Sequence, residues 1–239
     1  MNLQTDLQDA QVRLLSIFEK NNRQLTVWML GMYLVARTTS LLATIQKRKS
    51  QIARVQIVQI FGWLAAIANH PQVNVCLSKN LRSHFPGICP ACGQKICDCR
   101  SNRLPERVPS ENLKLMEGFM PKINLQDMLK RIFPDNTLDI STAHLIAEVG
   151  ELGQEIVRAS LRNQKHPRYG ANPEFLLELA DVTAHLCAVS SLLEQDLAVE
   201  VMHYFRDGCV VCGQQECNCQ MVSIQLEKVG SSPLGEEGS

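Results

Sequence analysis

YLVARTTSLLATI, residues 33–45, lies over HLIAEVGELGQEI, residues 144–156, without a gap. In both stretches apolar side chains recur every three or four positions, the period of a helix with one face in a core. The correspondence continues: IVQIFGWLAAI (57–67) lies over LLELADVTAHL (176–186), and CPACGQKICDC (89–99) over CVVCGQQECNC (209–219). Between the first two pairs the second half carries eight extra residues, and one more before its cysteines, insertions that suit loops. The order is helix, helix, helix, short helix and cysteine knuckle, twice, so the sequence predicts a tandem duplication. Apolar matches alone would also arise between unrelated helical proteins; the repeated cysteine framework is what favours duplication.

Periodic segments run at about 4–19, 24–47, 51–69 and 72–83, then about 123–132, 140–162, 173–194 and 196–206. Alternating strand patterns are scarce, so the expected fold is all-α. Residues 1–100 form the first repeat with its knuckle at 89–99, and 123–220 the second with its knuckle at 209–219. Residues 101–122 hold three prolines and no clear period and read as a linker. Residues 221–239, polar and Gly-rich, are expected to be disordered.

Lys plus Arg and Asp plus Glu number 24 each among 239 residues, so no field of one sign favours nucleic acid or an anionic membrane. Neither knuckle has a dense basic cluster or an aromatic ladder, which also argues against a nucleic-acid module. The opening MNLQTDLQDAQVRLL lacks the pattern of a secretory signal. The longest apolar run, Leu25 to Ala36, reads as a buried helix segment, too short to span a bilayer. A cytoplasmic protein with no membrane partner is expected.

Eight of the ten cysteines fall in the knuckles. Cys89, Cys92, Cys97 and Cys99, and likewise Cys209, Cys212, Cys217 and Cys219, follow C-x2-C-x4-C-x-C, which in a chain without an export signal favours thiolates on a metal over disulfides. Four thiolates make a closed tetrahedral site, the structural Zn²⁺ pattern. An iron–sulfur cluster or redox dithiol is the remaining option, and the tight C-x-C leaves Cys99 and Cys219 open as spectators. Gly93 and Gly213, each after the second cysteine, let the chain turn back around the metal.

The second half carries Glu148-Val-Gly-Glu151 and Glu178-Leu-Ala-Asp181. A spacing of three on a helix puts each pair on one face. With the two helices antiparallel, four carboxylates meet, and at about 5 Å and an effective dielectric of about 20 each pair repels by roughly 3 kcal/mol. Against a net stability of about 5 to 15 kcal/mol, such a cluster calls for a cation, and Mg²⁺ or Mn²⁺ are the hard ions that take carboxylate oxygens. A solvated acidic face is the alternative, but Leu145, Ile146, Val149, Leu152 and Ile156 flank the first pair and Leu177, Leu179, Ala180 and Val182 the second, which places the acids at a helix seam. Gly150 and Gly153 are costly in a helix interior and suggest close approach of another backbone or a ligand.

LIAEVGELGQEI followed by FLLELADVTAHL resembles the MazG-type all-α nucleoside triphosphate pyrophosphohydrolases, marked by ExxE, a spacer and ExxD. The resemblance covers residues 123 to 207, most closely at 144–156 and 175–186. It implies Mg²⁺-dependent cleavage of an NTP or dNTP between the α and β phosphates, giving a monophosphate and pyrophosphate. The residues matching the motif, Glu148, Glu151, Glu178 and Asp181, would hold the metal and carry catalysis, with Glu148 or Glu151 as general base. It also implies helical units that act as dimers or dimers of dimers, so the two repeats are expected to form an internal pseudo-dimer, itself able to assemble further. A triphosphate needs fixed cations as well, and the inserted stretch LRNQKHPRYGANPE supplies Arg162, Lys165, His166 and Arg168, with Arg158 just before; a solvated basic loop is the other reading. Glu155 is placed either as an outer ligand or as the partner of Arg158. Relatives carry a Lys and an Arg after ExxD; here VEVMHYFRDG offers Arg206 for one and lacks the lysine.

In the overlay Arg37, Ser40, Gln59 and Gly62 face Glu148, Glu151, Glu178 and Asp181, so the first half is expected to bind no catalytic metal. Arg37 has two expected roles, a phosphate contact for the neighbouring site or a salt bridge at the core edge. Two further functions stay open: a nucleotide-binding sensor with little turnover, and a zinc-stabilised interaction scaffold.

Overall fold

The computed structural model describes residues 6–99, 124–162 and 168–219. The expected linker 101–122, the tail 221–239, Lys165 and His166 lie outside the described residues. Among those described, eight α-helices and no strand are formed: α1 (Leu7–Asn22), α2 (Val27–Gln46), α3 (Ser50–Asn69), α4 (Leu77–His84), α5 (Leu125–Ile132), α6 (Leu138–Arg162), α7 (Pro173–Leu192) and α8 (Leu197–Tyr204). One 3₁₀ turn, Tyr169–Ala171, precedes α7.

Local chemistry fixes most of the ends. Asp6 starts α1 by accepting from the N–H groups of Gln8 (2.7 Å) and Asp9 (3.0 Å), while Asp9 accepts from the Asp6 N–H (3.2 Å), a reciprocal cap that satisfies otherwise orphaned donors. Thr26, Asn124, Asn172 and Asp196 cap α2, α5, α7 and α8 in the same sense, and Pro173 occupies the first turn of α7. The helix expected from residue 72 begins only at Leu77, because residues 71–76 turn through a left-handed Asn74 (φ 50°). Glu194 (φ 57°) makes the matching turn before α8.

The central contact is α2 against α6, flanked by α3 on α2 and α7 on α6. Leu30, Leu34 and Leu41 of α2 and Leu145, Val149, Leu152 and Ile156 of α6 are all buried. At Gly31 an added Cβ would come within 2.9 Å of Ile156 Cδ1, so the absence of a side chain there lets the helices close. Of the two reasons expected for Gly150 and Gly153, close approach of another backbone is not met among the described residues, since a Cβ at either would have no heavy atom within 4 Å, and the space beside them stays open to a ligand.

The short helices cross over. α4 of the first half packs on α7 of the second, and α8 of the second packs on α1 and α3 of the first. The contacts recur in matched pairs. Cys97 N–H donates to Ile132 O and Cys217 N–H to Ile17 O, both at 2.7 Å. Phe85 meets Phe133 edge-on at 6.2 Å, and Phe205 meets Phe18 edge-on at 5.6 Å. Gln11 takes the Leu77 N–H (2.8 Å) and donates to Val75 O (2.7 Å); Gln126 takes the Leu197 N–H (2.7 Å) and donates to Gln195 O (3.0 Å). Both glutamines are buried, and these bonds tie each short helix to the first helix of its own half.

Two helices, α3 and α7, 20 residues each, are long and apolar enough to cross a membrane by length and composition. In the fold most of each is buried, α3 against α1, α2 and α8, and α7 against α4, α5 and α6.

Candidate metal centres

Each knuckle follows a short helix and closes on itself. Cys89 N–H donates to Gln94 O and Gly93 N–H to Cys89 O, with Cys209, Gln214 and Gly213 repeating both bonds, all at 2.8 Å. Gly93 (φ 70°) and Gly213 (φ 69°) take the left-handed conformation expected of them. The four sulfurs of each knuckle lie within 4.8 Å of one another, including Cys99 and Cys219, so neither stands apart as a spectator. Cys89 Sγ is 3.7 Å from Cys99 Sγ, and Cys209 Sγ is 3.9 Å from Cys219 Sγ. A tetrahedron with metal–sulfur bonds of about 2.3 Å has edges of about 3.8 Å. Each set can therefore hold a metal ion such as zinc, and the spacing is far beyond an S–S bond of about 2.05 Å.

The thiols of a knuckle are not alike. Backbone N–H groups of Asn218 and Gln214 hold Cys212 down at about 6. At Cys92 burial acts upward, yet N–H groups of Asp98 and Gln94 outweigh it and bring the thiol to about 7. Burial pushes Cys89 and Cys217 up to about 11. A metal must therefore displace protons from the buried thiols, and its binding is coupled to proton release.

On the second half, α6 and α7 run side by side and bring Glu148, Glu151 and Glu178 together, with one oxygen of each within 4.8 Å of the others. Glu151 is exposed, Glu148 and Glu178 are half-buried, and Glu178 Oε2 is enclosed. Asp181, one turn further along α7 and also half-buried, lies outside that converging set.

Two histidines complete the seam. His144 Nδ1 or Nε2, Glu148 and His185 also converge within 4.8 Å; the rings of His144 and His185 stack at 5.2 Å, and His185 Nε2 is 3.9 Å from Glu148 Oε1. Burial, with His144 alongside, pushes His185 down to about 4, so its imidazole is neutral near pH 7 and keeps a lone pair for a ligand or a proton. The signal lay in the spacing: His144 is four residues before Glu148, and His185 four after Asp181, each one turn along the acidic face.

The basic residues fall differently. Arg158 pairs with the buried Glu155 and reaches Gln154 at 3.4 Å, which gives Glu155 the partner role. Arg162 and Arg168 are exposed at the two ends of the insertion, and the following turn is fastened to the first half by Tyr169 N–H on Gln72 O (3.1 Å). A Cβ at Gly170 would lie 2.0 Å from Val73 O, so this joint requires glycine. Arg206 sits beyond α8, whose main packing is on α1 and α3; its guanidinium meets Asp207 at 3.2 Å while Arg13 takes its carbonyl at 2.7 Å. The salt bridge considered for Arg37 is not formed among the described residues; with Gln59 and Gly62 this arginine lines a cavity of about 160 Å³.

No protein-family model, curated protein or solved structure matches the chain.

Proposed function

We propose that this protein is an Mg²⁺-dependent nucleoside triphosphate pyrophosphohydrolase of the MazG-like kind, cleaving an NTP or dNTP to a monophosphate and pyrophosphate. The observation that carries the reading is the convergence of Glu148, Glu151 and Glu178 across the α6–α7 seam. Hard carboxylate oxygens, one of them enclosed, suit Mg²⁺ or Mn²⁺. Mg²⁺ when bound neutralises phosphate charge and acidifies an attacking water. Glu148 and Glu178 are the half-buried ligands, the half-buried Asp181 follows one turn along α7 as a further acid of the same motif, and the exposed Glu151 is free of the enclosure that would hinder it from taking a proton from water. His185, neutral near pH 7, and the stacked His144 lie beside Glu148 and can donate to phosphate oxygens or pass that proton on. Arg162, Arg168 and Lys165 at the insertion are the candidate phosphate cations, and Arg206 is not among them.

The matched crossover contacts support a chain duplicated into an internal pseudo-dimer, the first half having lost its acids and kept its packing. Zn²⁺ in each knuckle fastens a short helix to the opposite half. The site is that of a soluble cytoplasmic enzyme. The test is pyrophosphate release from a panel of NTPs and dNTPs by the zinc-loaded protein, with Glu151→Gln as control. Tight nucleotide binding without turnover would select a sensor instead, and absence of nucleotide binding a scaffold.

A further inference from the structure

We propose that the cavity in the first half binds a small planar anion: one aromatic or heteroaromatic ring bearing a carboxylate or phosphate. It lies between the end of α1, the facing sides of α2 and α3, the end of α8 and the second knuckle. The proposal stands whether or not the carboxylate site hydrolyses nucleotides.

Size and lining set the ring. About 160 Å³ is close to the roughly 150 Å³ of an apolar cavity that takes up benzene. The walls are Phe18, Trp63, Ala66 and Phe205, with Val210 and Val211 of the knuckle as an outer lip. Trp63 is held flat by stacking on Tyr33 at 4.6 Å and 15°, and Phe18 and Phe205 are locked edge-to-face at 87°. Rigid aromatic faces favour a flat guest, which they contact without being reordered.

Charge sets the anion. Arg37 is half-buried at this cavity and forms no ion pair or hydrogen bond among the described residues. A guanidinium removed from much of its water and given no carboxylate is costly, and an anionic guest removes that cost. Tyr204 adds a second donor: its oxygen accepts from Gln59 Nε2 at 3.2 Å, which leaves its own O–H to donate. Among the described residues no Asp or Glu lines the cavity.

Position gives the reason. Arg37, Gln59 and Gly62 occupy the places that Glu148, Glu178 and Asp181 hold on the second half. One substitution reverses the charge, a second neutralises it, and at Gly62 a Cβ would meet nothing within 4 Å, so the deleted side chain has become open space. The cleft that gathers acids for a cation in one half gathers donors for an anion in the other. Because Val210 and Val211 lie between the zinc-ligating Cys209 and Cys212, occupancy is coupled to the loaded knuckle.

The test uses full-length, zinc-loaded Trp28→Phe protein, which leaves Trp63 as the only tryptophan. Benzoate, uridine 5′-monophosphate, uridine and inorganic phosphate are titrated against its fluorescence, with calorimetry alongside. Saturable quenching by benzoate or uridine monophosphate, weakened about tenfold or more in Arg37→Gln and abolished in Gly62→Leu, is the expected result. Benzoate alone would identify an aromatic acid, the nucleotide alone a nucleoside monophosphate. Glu178→Gln should leave binding unchanged; loss of binding there would place the ligand in the carboxylate site and overturn the proposal. It also fails if neither anion binds at millimolar concentration, if uridine binds as well as its monophosphate, if phosphate alone binds as well as either ring, or if the Arg37→Gln and Gly62→Leu proteins, melting like the parent, bind as the parent does.

Discussion

Replacing Glu178 by Gln in zinc-loaded protein without Mg²⁺ should raise its melting temperature. Glu148 and Glu178 are both half-buried and their nearest oxygens lie within 4.8 Å, so the ionised pair repels by about 3 kcal/mol at an effective dielectric of about 20. Glu151 is exposed and screened, and contributes less. Glutamine keeps the shape and one carbonyl oxygen while removing the charge, so most of that repulsion disappears. For a chain of this length each kcal/mol moves the midpoint by about 2–4 °C, which gives a rise of about 5–10 °C. Adding Mg²⁺ to about ten times its Kd stabilises the wild type by about 1.4 kcal/mol and should do little for the variant. Calorimetry at pH 8, where His185 is neutral, reads both effects. A variant that melts at or below the wild type without Mg²⁺, or that gains as much from Mg²⁺, would mean that the acids are a structural network with no need of a cation.

Metal analysis should find about two Zn per chain, and Cys92→Ser or Cys212→Ser about one; iron with visible absorption would refute the assignment. His185, with a folded value near 4 against 6.5, binds a proton more readily unfolded. Its contribution, about 3 kcal/mol, is present above pH 6.5 and lost as pH falls towards 4, and His185→Gln should flatten that limb of the stability–pH curve. His144 and Glu148 face the ring; a wild-type curve matching the variant's would show that burial does not dominate there. Gly31→Val forces methyl groups onto Ile156 and should cost about 1–3 kcal/mol by denaturant unfolding, partly recovered by adding Ile156→Val. Residues 110–239 alone lose the α4–α7 contact and the Ile17 acceptor of Cys217 and should lose activity, and a soluble fragment of full activity would refute the need for the first half.

Short-range chemistry made much of this legible in advance. Helical period placed the eight helices of the described residues, cap residues such as Asp6 and Asn172 explain where they start, and the knuckles were readable because C-x2-C-G and C-x-C constrain a turn regardless of what surrounds it. ExxE and ExxD likewise put their acids on one face by helix geometry alone, and three of the four meet. What tertiary structure alone decided is which faces touch. Periodicity marks an apolar stripe and is silent about its partner, so the exchange of α4 and α8 between halves could not be read from it. That exchange seats the end of α8 on α1 and α3 and brings Tyr204 and the second knuckle to the cavity that Arg37 lines. His144 and His185 gain meaning the same way: they are 41 residues apart in the chain, and only the packing of α6 on α7 stacks one ring on the other beside Glu148.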